Sequence, residues 1–200
     1  MISCKKIYIG LLSFYAFCPL YAFSVSVDFH SGKFFDIEKS RRVTITKYNA
    51  KQLESFQEFS GEIPDGIYES WWRNGEKKYK AFFLKGKENG EVYSWYKNGN
   101  KQFTGSMKDG VLEGELTSWF ENGNKRTREN YVYGKRNGIW ISWYENQKHS
   151  STLTFNLGRI IKCSSWNSEG KMIYTGSERE KCENIFNSNY TMSMESEDPE

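Results

Sequence analysis

Histidine is almost missing. The 200 residues hold two, His30 and His149. They are too far apart to share a metal site with the few cysteines at any standard ligand spacing. The sequence also has no Ser-His-Asp pattern, zinc motif or phosphate loop, and its recurring "GKENG" and "GKRNG" turns lack the Ser/Thr and helix that a phosphate cradle needs. The expectation is therefore no enzyme, with no catalytic residue, metal or cofactor. Proline is scarce as well, at 3 residues. The formal net charge is only +3, too small to point to nucleic acid. After residue 20 there is no long apolar run.

The one apolar run that exists, Ile7 to Leu20, follows Lys5 and Lys6 and ends at Tyr21-Ala22. It is short for a membrane span and has the layout of a secretory signal peptide. Residues 1–22 are read as that signal, with cleavage after Ala22, which places the protein in the periplasm or outside the cell. Loss of Lys5 and Lys6 lowers the net charge from +3 to +1. The remaining charge is uneven. Residues 66–176 carry 18 basic and 11 acidic side chains, and residues 177–200 carry 2 and 7.

Cleavage also removes Cys4 and Cys18, leaving Cys163 and Cys182. In an oxidising compartment those two are expected to form one disulfide, closing a loop of about 20 residues worth roughly 3 kcal/mol.

Aromatic residues are plentiful, at 17%, and favour strands. They recur at a fixed interval. Trp71, Trp95, Trp119 and Trp143 are 24 residues apart, as are Gly66, Gly90, Gly114 and Gly138. Asn74-Gly75, Asn98-Gly99 and Asn122-Gly123 keep the same period. A period in this range marks a repeat array. Each unit reads as a β-hairpin: a strand such as Ile67–Trp72, an Asn-Gly turn expected to hold positive φ at both residues, and a second strand such as Lys77–Leu84. A lone hairpin is marginal in water, so the units should pair edge to edge. Five units, about ten strands at roughly 4.8 Å each, give a sheet near 48 Å long.

Alternation then separates two faces. Tyr68, Ser70 and Trp72 share one, repeated as Val92, Ser94, Tyr96, then Leu116, Ser118, Phe120, then Trp140, Ser142, Tyr144. That face, with its serine column, is expected to pack. Trp71, Trp95, Trp119 and Trp143 fall on the other face. Packing of this Trp column into the core is one reading; the other, since its companions vary as a contact surface could use, is a partner that contacts the Trp95–Trp119 region.

The stretches "GEVYSWYKNGNKQFTGSMKDGVLEG" and "GIWISWYENQKHSSTLTFNLGR" resemble bacterial MORN-variant repeats. The likeness covers about residues 61–176. Gln147 replaces the turn glycine in copy four, and Lys162 the opening glycine of copy five. The segment "VTITKYNAKQLESFQEFSGEIPDG" aligns at the same period, with Tyr48 in the Trp72 column, and fits a degenerate capping copy within N-terminal strands at 23–60. The resemblance implies an all-β, elongated antiparallel sheet of tandem hairpins, non-enzymatic and used for protein, lipid or membrane-associated contacts. Many bacterial relatives carry a YwqK-type antitoxin label, so an antitoxin or immunity role stays open. Glycan or cell-wall binding through the Trp column also stays open. Choline-binding repeats are a poor match, because their aromatic cluster follows the turn. The acidic end, residues 177–200, has few core formers and is expected to be disordered.

Overall fold

The structure is a computed structural model that describes residues 25–28, 33–36 and 41–194. The proposed signal segment lies outside them, as does His30. The described chain is one antiparallel meander of 17 strands followed by one helix. Four strands come first: β1 (Val25–Asp28), β2 (Lys33–Asp36), β3 (Arg41–Asn49) and β4 (Gln52–Ser60). Copy one is β5 (Ile63–Trp71) with β6 (Lys77–Leu84), and the two-residue β7 (Lys87–Glu88) leads on. Copy two is β8 (Gly90–Trp95), β9 (Lys101–Lys108) and the short β10 (Val111–Leu112). Copy three is β11 (Gly114–Trp119), β12 (Lys125–Val132) and the short β13 (Lys135–Arg136). Copy four is β14 (Gly138–Trp143) with β15 (His149–Asn156), and copy five is β16 (Arg159–Trp166) with β17 (Met172–Gly176). Each hairpin pairs with the next through short registers such as Tyr79↔Ser94 and Phe103↔Ser118.

The turns differ from the expectation in an informative way. Positive φ at the Asn-Gly pairs is confined to the glycine, at 93° for Gly75 and 85° for Gly99. Gly75 N–H donates to Trp72 O at 2.8 Å, and Trp72 N–H donates to Glu76 O at 2.8 Å. This is a three-residue loop closed by a left-handed glycine, rather than a two-residue primed turn. The asparagine acts through its side chain instead: Asn74 Oδ1 accepts from Glu76 N–H at 3.1 Å, and Asn98 Oδ1 from Asn100 N–H at 2.9 Å. The primed pairs lie at the other end of the hairpins. Lys85-Gly86, Asp109-Gly110, Tyr133-Gly134 and Leu157-Gly158 have positive φ at both residues. Gly99→Val should cost about 1–3 kcal/mol, because a β-branched residue resists φ > 0. A denaturant melt checks this.

The tail expectation is corrected. Residues 179–194 form a helix, α1 (Arg179–Met194). Cys182, Ile185 and Phe186 are spaced i, i+3, i+4, so they share one helix face. That face lies on Trp140, Leu153, Phe155 and Cys163, the buried cluster of the protein. Phe186 meets the Trp140 ring edge-on at 4.9 Å between centroids. Cys163 and Cys182 form the disulfide, with Cα atoms 5.5 Å apart. Cys163 pairs with Leu153 on β15, so the bond ties the helix to the same face. Replacing both cysteines by serine should lower stability by about 3 kcal/mol, measured by urea unfolding with and without reductant.

Candidate functional site

Residues opposite each other on paired strands share a face. Tyr68↔Ala81, Ser70↔Tyr79, Val92↔Gly105 and Ser94↔Phe103 therefore line one surface, here called the inner face. Val92 (2% exposed) and Trp140 (3%) are buried there, as the alternation implies. The serine column is more than a gap between large side chains. Ser142 and Ser151 share a hydrogen bond at 2.7 Å, as do Ser118 and Thr127, and Ser94 donates to Gln102 Oε1 at 2.6 Å.

The copies are also locked edge to edge at the glycine turns. Tyr96 OH donates to Trp119 O at 2.8 Å, Tyr144 OH to Trp166 O at 2.9 Å, and Trp72 Nε1–H to Trp95 O at 2.9 Å. Tyr48 makes the same link one copy upstream, to Trp71 O at 3.1 Å. Asn98 Nδ2 reaches Glu121 O at 2.9 Å, and Asn146 Nδ2 reaches Ser168 O at 3.0 Å. The aromatic beside each Trp and the turn asparagine thus form a polar seam from copy to copy. Phe120 has no hydroxyl, and the Arg126 guanidinium lies 5.4 Å from its ring centroid.

Trp71, Trp95, Trp119 and Trp143 lie together on the opposite, outer face, and all four are partly buried. The sequence did not reveal their partners. Across each hairpin, Trp71 pairs with Lys77, Trp95 with Lys101, Trp119 with Lys125 and Trp143 with His149. Lys77 Nζ lies 5.9 Å from the Trp95 ring centroid, and Lys101 Nζ 5.8 Å from that of Trp119. Tyr93 stacks on Trp95 at 5.8 Å, and His149 stacks on Trp166 at 4.2 Å. The result is a spine of alternating indoles and cationic or imidazole groups.

The inner face is covered unevenly. The helix α1 lies chiefly against β15 and β16, and its Phe186 reaches Trp140 on β14 and Arg136 on β13. Over copies one to three, Tyr68, Tyr79, Phe83, Phe103 and Leu116 remain partly exposed. Their rings form a chain: Tyr68–Phe83 at 6.3 Å, Tyr68–Tyr79 at 6.1 Å and Tyr79–Phe103 at 6.2 Å. Tyr79 OH donates to Glu88 Oε1 at 2.8 Å. Burial, then that carboxylate, holds the phenol well above its ordinary range.

Where the open part meets α1 there is a buried carboxylate. Glu129, 7% exposed, stands in a column otherwise filled by Ala81, Gly105 and Leu153. It accepts from Tyr131 OH at 2.6 Å, Thr127 Oγ1 at 3.1 Å and Arg136 Nε at 3.3 Å. Arg136 in turn lies 5.3 Å from the Trp140 ring and 4.9 Å from that of Phe186. A buried charge is tolerable when it is this fully partnered. The group marks the place where the helix stops and the open surface begins.

Geometry and period together define a tandem hairpin-repeat protein. Residues 64–85, 88–109 and 112–133 match the model of the MORN repeat variant family, so the chain carries three MORN repeat variants in tandem. No curated protein matches the chain. Among the described residues, no helix is long and apolar enough to cross a membrane.

Proposed function

We propose that this chain is an exported, non-enzymatic binding and scaffold module of the cell envelope whose partner is a protein. The observation that carries this is the inner face, which α1 covers at one end and leaves open over copies one to three. The occupant is a partner helix with an apolar stripe, because the chain's own α1 already docks on the continuation of that surface through Cys182, Ile185 and Phe186. Export is supported by the Ile7–Leu20 run and by the Cys163–Cys182 bond, which oxidising compartments favour. A toxin whose activity the chain neutralises is one partner of this kind, in keeping with the YwqK-type label of similar repeats.

A second contact surface is the Trp spine of the outer face, at Trp71, Trp95, Trp119 and Trp143. The alternation with lysine favours it, since aromatic edges and cations together suit a protein rim, an anionic glycan or a peripheral membrane surface.

The test is site-specific photo-crosslinking in envelope extract, with the crosslinker at Phe103 on the inner face or at Thr104 on the outer. Crosslinks to one discrete protein from Phe103 alone, lost when Leu116→Glu is added, support the inner face. The same adduct from Thr104 alone moves the contact to the Trp spine.

A further inference from the structure

A groove of about 640 Å³ opens at the glycine-turn edge between the N-terminal hairpin and copy one, lined by Tyr48, Glu54, Trp72, Arg73, Asn74 and Lys97. Its volume lies in the usual range for small organic ligands. Two rings form its apolar walls, and cations lie over both. The Arg73 guanidinium is 5.5 Å from the Tyr48 centroid. Lys97 Nζ is 5.3 Å, and Lys78 Nζ 4.3 Å, from the Trp72 centroid. Among the described residues, Glu54 is the one carboxylate of the lining.

The walls are fixed by hydrogen bonds to backbone carbonyls. Tyr48 OH is held by Trp71 O at 3.1 Å, and Trp72 Nε1–H by Trp95 O at 2.9 Å. Asn74 Nδ2 holds Lys97 O at 2.5 Å, and Gln52 Nε2 holds Arg73 O at 2.8 Å. With their polar atoms engaged, both rings present apolar surface. The ammonium and guanidinium groups supply the charge.

We propose that this groove binds a saccharide that carries an anionic group, a uronate or a sugar phosphate. An anion that reaches Arg73 and Lys97 sits within contact distance of Tyr48 and Trp72. A bare oxyanion engages Arg73 and Lys97 without using the rings, and a neutral sugar engages the rings without using the charge of Arg73 and Lys97. A sugar ring has C–H surface for an aromatic wall and, when acidic, the charge for the cations. The rest of the array does not repeat the arrangement. The positions of Arg73 and Lys97 become Glu121 and Glu145 in copies three and four, and Lys78 becomes Gln102 in copy two, Arg126 in copy three and Ser150 in copy four. The Arg73–Lys97 pair is therefore particular to the N-terminal end, while the later turns keep cations such as Lys125, Lys148 and Lys171 just after the turn. This site is separate from the open inner face of the preceding section and does not depend on a protein partner.

The test uses the full-length chain with four probes: trigalacturonate, glucose 6-phosphate, glucose and inorganic phosphate. Calorimetry gives stoichiometry and affinity. The indole Nε1–H resonance of Trp72, assigned through Trp72→Phe, gives location. The expected result is one saturable site per chain for at least one acidic sugar, with a shift of the Trp72 resonance. Affinity should fall at least about tenfold in the Arg73→Glu/Lys97→Glu variant and change less than about twofold in Lys148→Glu/Lys171→Glu, which alters charge equally at the far end. Melting curves establish that both variants remain folded. If uronate binds and the phosphate ester does not, or the reverse, the acid group is identified. The proposal is overturned if no acidic sugar saturates, or if glucose or inorganic phosphate binds as tightly as the acidic sugars. It is also overturned if the distal variant loses as much affinity as the groove variant.

Discussion

Trp140→Ala should be among the most damaging single substitutions in this protein, costing about 3–5 kcal/mol. Trp140 is 3% exposed, lies against Phe155 at 5.9 Å and Phe186 at 4.9 Å, and receives Arg136 at 5.3 Å. Truncation would leave a cavity between sheet and helix. The disulfide keeps α1 attached, so the cavity cannot close by releasing the helix. Trp140→Phe separates volume from polarity. Among the described residues, Trp140 Nε1 has no hydrogen-bond partner, so phenylalanine removes an unmet donor while keeping most of the ring. Its cost should stay below about 1.5 kcal/mol. Urea melts of both variants, with disulfide intact, make the comparison. A small loss for Trp140→Ala would mean that α1 does not form the cap of the array.

The repeat array was legible because its signals are local and recur. Gly66, Gly90, Gly114 and Gly138 mark one unit each, and alternation assigns Tyr96 and Trp95 to opposite faces. The helix was not legible, because Cys182, Ile185 and Phe186 are three apolar residues in a polar, acidic stretch. Their burial depends on Trp140, about 40 residues away in sequence, and on a disulfide rather than on a broad apolar stripe. The turn chemistry was misplaced for a related reason. Asn-Gly is the strongest short-range hairpin signal, yet here the asparagine is used for side-chain bonds to its own turn and, at Asn74, Asn98 and Asn146, to the next copy. The two-residue primed turns fall to Lys85-Gly86 and its equivalents, including Tyr133 and Leu157, residues with no special liking for that conformation. The site was half legible. The two faces could be told apart from sequence, but the lysine or histidine beside each indole, the Glu129–Arg136 pair and the groove at Tyr48 all depend on which residues the register brings opposite one another.

Trp95 and Tyr96 are neighbours in sequence that serve different faces, and their alanine variants should behave differently. Tyr96 is 8% exposed, and its hydroxyl, donated to Trp119 O at 2.8 Å, links copy two to copy three. Burial raises its phenol above the ordinary value, against a lowering from Arg126, so the hydroxyl keeps its proton and remains a donor at neutral pH. Tyr96→Ala loses a buried ring and a bond between copies, and should cost about 3–5 kcal/mol. Tyr96→Phe loses the hydrogen bond alone, as Phe120 does naturally one copy on, and should cost about 0.5–1.5 kcal/mol. Trp95 is only partly buried, between Tyr93 at 5.8 Å and Lys77 at 5.9 Å. Trp95→Ala removes one member of the outer spine and leaves the seam between copies intact, so its stability cost should be clearly smaller than that of Tyr96→Ala. If the outer face is a contact surface, Trp95→Ala should weaken partner binding by about 2 kcal/mol or more, as an aromatic anchor would. Melts and a binding assay on the same three variants decide the matter. Should Trp95→Ala unfold the protein as readily as Tyr96→Ala, the spine is part of the core, and binding belongs to the inner face.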